Sequence, residues 1–394
     1  MILRQSFTES SADYGLRDEN LSTHSLFFDY DLDGDLDLYL VANSFHNLGN
    51  FQGVRGNQRI IPDPLGASKL YRNDGGTFTD VTEDAGIYSS IIGFGLSASA
   101  GDLNRDGYPD LYVANDFFER DYLYINNGDG TFTESLTDYI RSLSFSSMGS
   151  DIADVNNDGW PDIFVSDMLP EEESRLKSKM TLENWNEYRA NVERGFHHKF
   201  TRNTLQINNG DGRGFSETGR MSGVYATDWS WATLIADLDN SGYNDIFVAN
   251  GIFKDLLDQD YIEQVANPRV IGEMIRSGEE NVIMNLMDAM SSTPVPNRAF
   301  GNQNGVEFED KTADWGLEKP GFSTGAAWAD LDGNGALDLI LNDVNGPARI
   351  YRNNGDERYP GRSWLRIDLK GEAGNTLGIG AQLQAWSGDR YWFR

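Results

Sequence analysis

The chain has 394 residues, with 62 acidic against 32 basic side chains, a net charge of −30 and no cysteine. No Lys/Arg cluster is present to neutralise phosphates, so the balance argues against a DNA or RNA partner, and the absence of cysteine excludes disulfides and thiolate metal sites. No apolar run is long enough to cross a membrane or to form the core of an export signal. At this length the chain is two or three domains or one large repeat array.

From the N-terminus, Phe7-Thr8-Glu9 stands six residues before Gly15-Leu16, as Phe78-Thr79-Asp80 stands six before Gly86-Ile87. The match makes residues 1–16 the tail of an upstream repeat and puts any export signal on sequence ahead of it. Thr23-His24-Ser25-Leu26-Phe27-Phe28 then leads into Asp29-Tyr30-Asp31-Leu32-Asp33-Gly34-Asp35-Leu36-Asp37. The same nine-residue design returns at Asp102 (DLNRDGYPD), Asp154 (DVNNDGWPD), Asp237 (DLDNSGYND) and Asp330 (DLDGNGALD). Each copy has an oxygen-bearing side chain at positions 1, 3, 5 and 9 and glycine at position 6.

After the first loop comes a polar stretch at residues 43–67 and then a second hairpin signal, Leu70-Tyr71-Arg72-Asn73-Asp74-Gly75. It recurs at Leu123 to Gly128, Leu205 to Gly210, Phe300 to Gly305 and Ile350 to Gly355. Asn-Gly and Asp-Gly between apolar runs mark tight hairpins, because both residues accept positive φ. Each repeat therefore predicts two hairpins, or four short strands. Four-stranded units at this spacing point to propeller blades. The strand before each loop is rich in small residues, as in Gly95-Leu96-Ser97-Ala98-Ser99-Ala100-Gly101, which suits crowding near a central axis. Residues 168–199 and 252–293 break the pattern with apolar positions three and four apart and predict helical insertions. Such excursions either carry specificity or cap a face.

Alternate oxygens on a tight turn suit Ca2+, which takes six to eight oxygen ligands. A helical EF-hand is ruled out: it needs a bidentate Glu at position 12, where this chain has Leu40, Val113, Val165, Val248 and Leu341 inside strand-forming runs. The remaining alternative to calcium is five solvated acidic turns.

Nine-residue loops that close β-hairpins in this way resemble the FG-GAP/VCBS repeats of integrin α-chain-like β-propellers. The resemblance implies an all-β propeller of four-stranded blades over residues 17–361, with five calcium-loop blades out of a seven-bladed ring. It also implies Ca2+ held by the side chains at positions 1, 3, 5 and 9 and by the backbone carbonyl at position 7. The first site would use Asp29, Asp31, Asp33 and Asp37 with the carbonyl of Asp35, and the second Asp102, Asn104, Asp106 and Asp110 with that of Tyr108. The third would use Asp154, Asn156, Asp158 and Asp162 with the carbonyl of Trp160. The fourth would use Asp237, Asp239, Ser241 and Asp245 with Tyr243, and the fifth Asp330, Asp332, Asn334 and Asp338 with Ala336. The neutral hydroxyl of Ser241 places the fourth among the weaker sites. From Trp364-Leu365-Arg366-Ile367-Asp368-Leu369-Lys370-Gly371 through Gly378-Ile379-Gly380-Ala381, residues 362–394 resemble the start of the ASPIC/UnbV domain of cartilage-acidic-protein-like and bacterial surface proteins. Thr227-Asp228-Trp229-Ser230-Trp231 and residues 23–28 are similar to the VCBS-repeat proteins of Bacteroidetes-type bacteria.

No Gly-x-Ser-x-Gly elbow, P-loop or dinucleotide fingerprint occurs. His197-His198 are adjacent and do not converge on one metal, and His24 either packs or faces the channel as an acid/base. Trp229 and Trp231 share a strand face, as a sugar platform or as packing. The expectation is a calcium-binding propeller in an extracellular, cell-surface or periplasmic setting, where millimolar calcium fills such loops. It would serve as a binding or scaffold module for a glycan or protein. The competing expectations are a polysaccharide-acting enzyme with convergent polar groups in its channel, and an architectural spacer.

Overall fold

The structure, a computed structural model, describes residues 8–44, 46, 58–180, 184–210, 214–371, 375–388 and 390–393. Phe7 of the opening motif, and residues 45 and 47–57 of the 43–67 stretch, lie outside the described residues. The chain divides into two compact units, one made of residues 1–115, 122–136 and 367–382, the other of 116–121, 137–366 and 383–394.

The first unit holds two antiparallel four-stranded sheets of propeller-blade type. Blade 1 is β1 (Ser22–Phe28), β2 (Asp37–Ala42), β3 (Lys69–Asn73) and β4 (Phe78–Asp80), in that order across the sheet. Blade 2 is β5 (Gly95–Gly101), β6 (Asp110–Asn115), β7 (Tyr122–Asn126) and β8 (Phe132–Glu134). Tyr39, Leu70, Leu111 and Tyr124 are fully buried in the cluster the two blades share, together with Tyr30, Ala85, Ile87 and Phe132.

The second unit has three blades. A short helix α1 (Leu136–Tyr139) and strand β9 (Leu143–Ser144) precede blade 3, which is β10 (Ser150–Ala153) and β11 (Asp162–Val165), then, past an insertion, β13 and β14. The insertion carries α2 (Glu173–Lys179), α3 (Trp185–Glu193) and β12 (Lys199–Phe200), and β12 pairs in parallel with β9. β13 is Thr204–Asn208 and β14 is Phe215–Glu217. Blade 4 begins with β15 (Ser230–Ala236) and β16 (Asp245–Asn250), passes through α4 (Gln259–Gln264), α5 (Pro268–Arg276) and α6 (Val282–Ala289), and ends with β17 (Arg298–Asn302) and β18 (Phe308–Asp310). Asn184, Asp258 and Asn267 cap α3, α4 and α5 by accepting backbone N–H bonds, and Pro268 opens α5, a start that proline's fixed φ favours.

Blade 5 departs from the four-strand expectation. It has β19 (Ser323–Ala329), β20 (Asp338–Asp343) and β21 (Arg349–Tyr351), and the chain then turns into α7 (Gly355–Arg358) without a fourth strand. The Asn353-Asn354-Gly355 signal starts this helix, because Asp-Glu-Arg-Tyr follows where each of the other repeats places a phenylalanine that opens the fourth strand. A last hairpin, β22 (Gln384–Ser387) with β23 (Arg390–Phe393), closes the described chain.

In all five blades the residue before the acidic loop pairs with the loop's ninth: Phe28 with Asp37, Gly101 with Asp110, Ala153 with Asp162, Ala236 with Asp245 and Ala329 with Asp338. The loop is thus the turn of the first hairpin. Its last acid is the first residue of the second strand, the most deeply buried strand of the blade, as in the fully buried β6 and β16. Burying each large apolar side chain of these strands contributes about 1.5–3 kcal/mol.

Candidate metal centres

One hydrogen-bond scheme repeats through the loops. The first aspartate of each accepts from the N–H of the glycine at position 6: Asp29 from Gly34 (3.1 Å), Asp102 from Gly107 (3.0 Å), Asp154 from Gly159 (2.9 Å), Asp237 from Gly242 (2.9 Å) and Asp330 from Gly335 (3.1 Å). Position 3 accepts from the N–H of position 5, as Asp31 does from Asp33 (3.3 Å) and Asp239 from Ser241 (3.0 Å). Position 5 in turn accepts from position 7, as Asp33 does from Asp35 (3.0 Å) and Asp158 from Trp160 (2.8 Å). With their other oxygen Asp102, Asp154, Asp237 and Asp330 also accept the N–H of position 5, whereas Oδ1 of Asp29 has no hydrogen-bond partner. Two positions take left-handed backbone: glycine at position 6 (Gly34 φ 96°, Gly335 φ 82°) and also position 4, where Leu32, Arg105, Asn157 and Asn240 have φ of 59°, 57°, 58° and 55°.

The predicted ligands converge to different degrees. In loops 1, 4 and 5 the carboxylates at positions 1, 3 and 9 (Asp29/Asp31/Asp37, Asp237/Asp239/Asp245 and Asp330/Asp332/Asp338) bring one oxygen each within 4.8 Å of the others. Asp33 lies outside the first group. Loops 2 and 3 have asparagine at position 3, and its amide donates to the position 5 acid: Asn104 to Asp106 and Asn156 to Asp158, both at 2.8 Å. There a neutral group takes up one carboxylate, where loop 1 sets Asp31 against Asp33.

The ninth residue plays a second part that its motif position does not reveal. One oxygen of Asp37 accepts from Tyr30 N–H (3.1 Å) and the other from Asn73 N–H (2.8 Å). The same pair of bonds ties Asp110 to Leu103 and Asn126, Asp162 to Val155 and Asn208, Asp245 to Leu238 and Asn302, and Asp338 to Leu331 and Asn353. This aspartate therefore joins the first hairpin to the second. The asparagine it meets reaches on to the neighbouring blade: Asn126 donates to Tyr30 O (2.8 Å), Asn302 to Val155 O (2.8 Å) and Asn353 to Leu238 O (2.7 Å). Burial, with the charges of the neighbouring loop acids behind it, pushes the Asp37 and Asp110 carboxyls up to about 7 and raises Asp162 and Asp245 well above the usual carboxylate range.

Whether the donors suit a cation is tested best in loop 1. Oδ1 of Asp29 and Oδ1 of Asp35 are buried and have no hydrogen-bond partner, a costly state for a carboxylate oxygen unless an ion meets it. Desolvation raises Asp29 and Asp31, and the charge of Asp33 adds to both. Among the described residues no lysine or arginine pairs with these loop 1 acids. Elsewhere other groups intrude: the basic Arg362 meets Asp239 at 2.6 Å and Arg352 meets Asp332 at 2.6 Å, and the neutral amide of Gln382 donates to Asp102 at 2.6 Å. A hard, oxygen-only, anionic cradle of this kind fits Ca2+.

The other candidates are accounted for locally. His197 Nε2 meets the Ile140 carbonyl (2.9 Å) and His198 Nδ1 the Tyr188 hydroxyl (2.7 Å). His24 is exposed on β1, and His46 lies 3.5 Å from Asp63. The rings of Trp229 and Trp231 are 6.4 Å apart; Trp231 donates to the Gly251 carbonyl (3.0 Å), while Nε1 of Trp229 is buried without a partner.

Residues 29–113 and 102–165 match the family model described as FG-GAP-like repeat. The chain carries FG-GAP-like repeats. The matched stretches contain loops 1 to 3, and loops 4 and 5 share their hydrogen-bond scheme. Solved structures similar to the chain include an Agrocybe aegerita lectin that recognises non-reducing terminal N-acetylglucosamine (14% identity, 85% of this chain and 67% of that one, TM-score 0.36). Others are a Bacillus licheniformis rhamnogalacturonan lyase (15% identity, 84% and 45%, TM-score 0.34) and a fructofuranosidase from Schwanniomyces occidentalis (9% identity, 86% and 56%, TM-score 0.35). The chain thus spans about half the length of the last two.

Proposed function

We propose that this protein is a calcium-binding β-propeller that acts outside the cytosol as a binding or scaffold module for a glycan or a protein. The observation that carries the reading is the converging triad Asp29/Asp31/Asp37 of loop 1, within which Oδ1 of Asp29 is buried and orphaned. Ca2+ in that cradle supplies two positive charges and the missing ligand contacts. The chain's own residues do the rest: glycine at position 6 and the left-handed residue at position 4 hold the turn, and the ninth aspartate transmits its rigidity to the next hairpin. Loop 1, with the acids at its odd positions free of basic partners, takes calcium most tightly. Loops 2 to 5 each have one acid fewer than loop 1 at positions 1, 3, 5 and 9, and loops 4 and 5 bind after Arg362 and Arg352 are displaced. Loops of modest affinity fill in extracellular or periplasmic calcium, which is the basis for the proposed location.

Equilibrium dialysis against calcium tests this. Several ions retained per chain at about 1 mM free calcium, one fewer and the tightest lost in Asp31→Ala, is the expected result. No retained calcium in a folded sample would sink the reading. A glycan array probed in calcium then addresses the ligand.

A further inference from the structure

Blades 1 to 4 each finish with an outer strand that opens on phenylalanine: Phe78, Phe132, Phe215 and Phe308. Each stands opposite the hairpin asparagine, in the pairs Asn73–Phe78, Asn126–Phe132, Asn208–Phe215 and Asn302–Phe308. Phe132 shows what the ring does. It lies 5.7 Å from the Tyr30 ring and 6.5 Å from that of Tyr124, in one cluster with Ala85, Ile87 and Leu111. Its N–H donates to the Ala85 carbonyl at 2.8 Å, and its own carbonyl crosses Gly86 so closely that a Cβ there would sit 2.8 Å from it.

Blade 5 rebuilds this socket and leaves it empty. In repeat register, Leu238 stands for Tyr30, Trp315 for Ala85, Leu317 for Ile87, Leu339 for Leu111 and Tyr351 for Tyr124. These residues line a cavity of about 130 Å3, close to the size of apolar cavities that take benzene. Gly316, the counterpart of Gly86, has the same left-handed backbone (φ 73°), yet nothing lies within 4 Å of where its Cβ would be. Outside β20, β21 has no strand neighbour among the described residues, and Ile350 on it is 66% exposed. An unpaired strand edge is a template for another strand. The sibling strands specify its chemistry further: each has an acid two residues after the phenylalanine, and Lys69 and Arg298 meet Asp80 and Asp310 at 3.9 and 3.4 Å. Arg349 holds the corresponding place in blade 5, where it already pairs with Asp343 as Lys69 pairs with Asp18, so the acid would join an existing pair.

We propose that the open edge of blade 5 receives an extended segment of a partner protein as its fourth strand, with a phenylalanine in the cavity and an acidic residue two positions later near Arg349. This is strand addition with a side-chain anchor. It does not depend on calcium occupancy, so its failure is distinguishable from failure of the calcium reading when binding is measured both in chelator and in calcium.

The probe is a fluorescein-labelled heptapeptide, Asp-Gly-Thr-Phe-Thr-Glu-Ser, the sequence of residues 129–135, titrated with the full chain by anisotropy. Saturable binding is expected, with at least a tenfold loss when the peptide's phenylalanine becomes alanine. Leu337→Trp, which enlarges a side chain lining the cavity, should weaken binding by a similar factor, with circular dichroism to check that the variant is folded. Absence of saturable binding, or equal affinity of the alanine peptide, overturns the proposal whatever the variant does. A tenfold gain in affinity on removing residues 1–9 also overturns it, because the chain's own Phe7-Thr8-Glu9 would then be the occupant.

Discussion

Single residues in this chain carry costs that their neighbours in the repeat avoid. Leu32 is held at φ 59° and is half exposed, at the position where Asn157, Asn240 and Gly333 sit in the other loops. A branched apolar side chain gains nothing there and pays about 1–2 kcal/mol for left-handed backbone, whereas asparagine tolerates it. Leu32→Asn should therefore raise the urea midpoint by an amount equivalent to about 1 kcal/mol; an unchanged or lower midpoint would show that Leu32 packs in a way its exposure hides. Asp151 bears a different cost. It accepts the Ile235 N–H (2.7 Å) from the neighbouring blade, and burial pushes its carboxyl up to about 6. Because the folded value lies above the unfolded one, the folded chain holds a proton between about pH 4 and pH 6 that the unfolded chain has released. This group's contribution to stability therefore falls as pH rises through that window. Asp151→Asn keeps an acceptor for Ile235 and removes the charge, so melting curves at pH 5 and pH 7.5 should converge in the variant relative to the parent. Parallel curves for the two proteins would refute it.

At the scale of the element, the loop and its hairpin divide two jobs among similar acids. Position 3 accepts one backbone N–H, from position 5 of its own turn, while position 9 carries two backbone N–H bonds that join the hairpins. In chelator, Asp110→Ala should cost about 3–5 kcal/mol, since it strands two buried donors, whereas Asp31→Ala should cost little or even relieve repulsion. In calcium both should be destabilising. Denaturation of the two variants with and without calcium measures this, and equal costs in chelator would show that position 9 is only a ligand. The sequence made the loops legible because their oxygens, glycines and flanking strands repeat at fixed spacing. It also marked both helical insertions, whose caps are local. The bridging role of Asp37 and Asp110 was hidden because a ligand and a hydrogen-bond acceptor need the same side chain. The reach of Asn126 and Asn353 to the neighbouring blade was hidden because Asn-Gly is fully explained by its turn. The missing strand of blade 5 was hidden because Asn353-Asn354-Gly355 has the hairpin signal, and only the absence of a following phenylalanine tells against it.

For the molecule as a whole, charge and division into units set the energetics together. With −30 on the chain and three carboxylate triads built into turns, the calcium-free fold works against self-repulsion. Five bound ions would bring the net charge to about −20 and add the free energy of binding to the folded form alone. At twenty times Kd each site contributes about 1.8 kcal/mol. Loops 1 and 2 belong to one compact unit and loops 3 to 5 to the other, each with its own buried clusters. Melting is therefore expected to resolve into two transitions rather than one cooperative step. If the loops coordinate calcium, about 2 mM CaCl2 should raise both transitions by several degrees, more than the same concentration of MgCl2, whose small ion demands octahedral geometry and gives up its water reluctantly. If the acids only repel one another, MgCl2 or about 0.15 M NaCl should do as much by screening. Calorimetry in the three salts separates the two, and equal shifts would assign the loops to charge relief, not to calcium sites. A calcium shift confined to the first transition would restrict coordination to loops 1 and 2. The arginines at Asp239 and Asp332 would then act as the built-in counterions of the second unit.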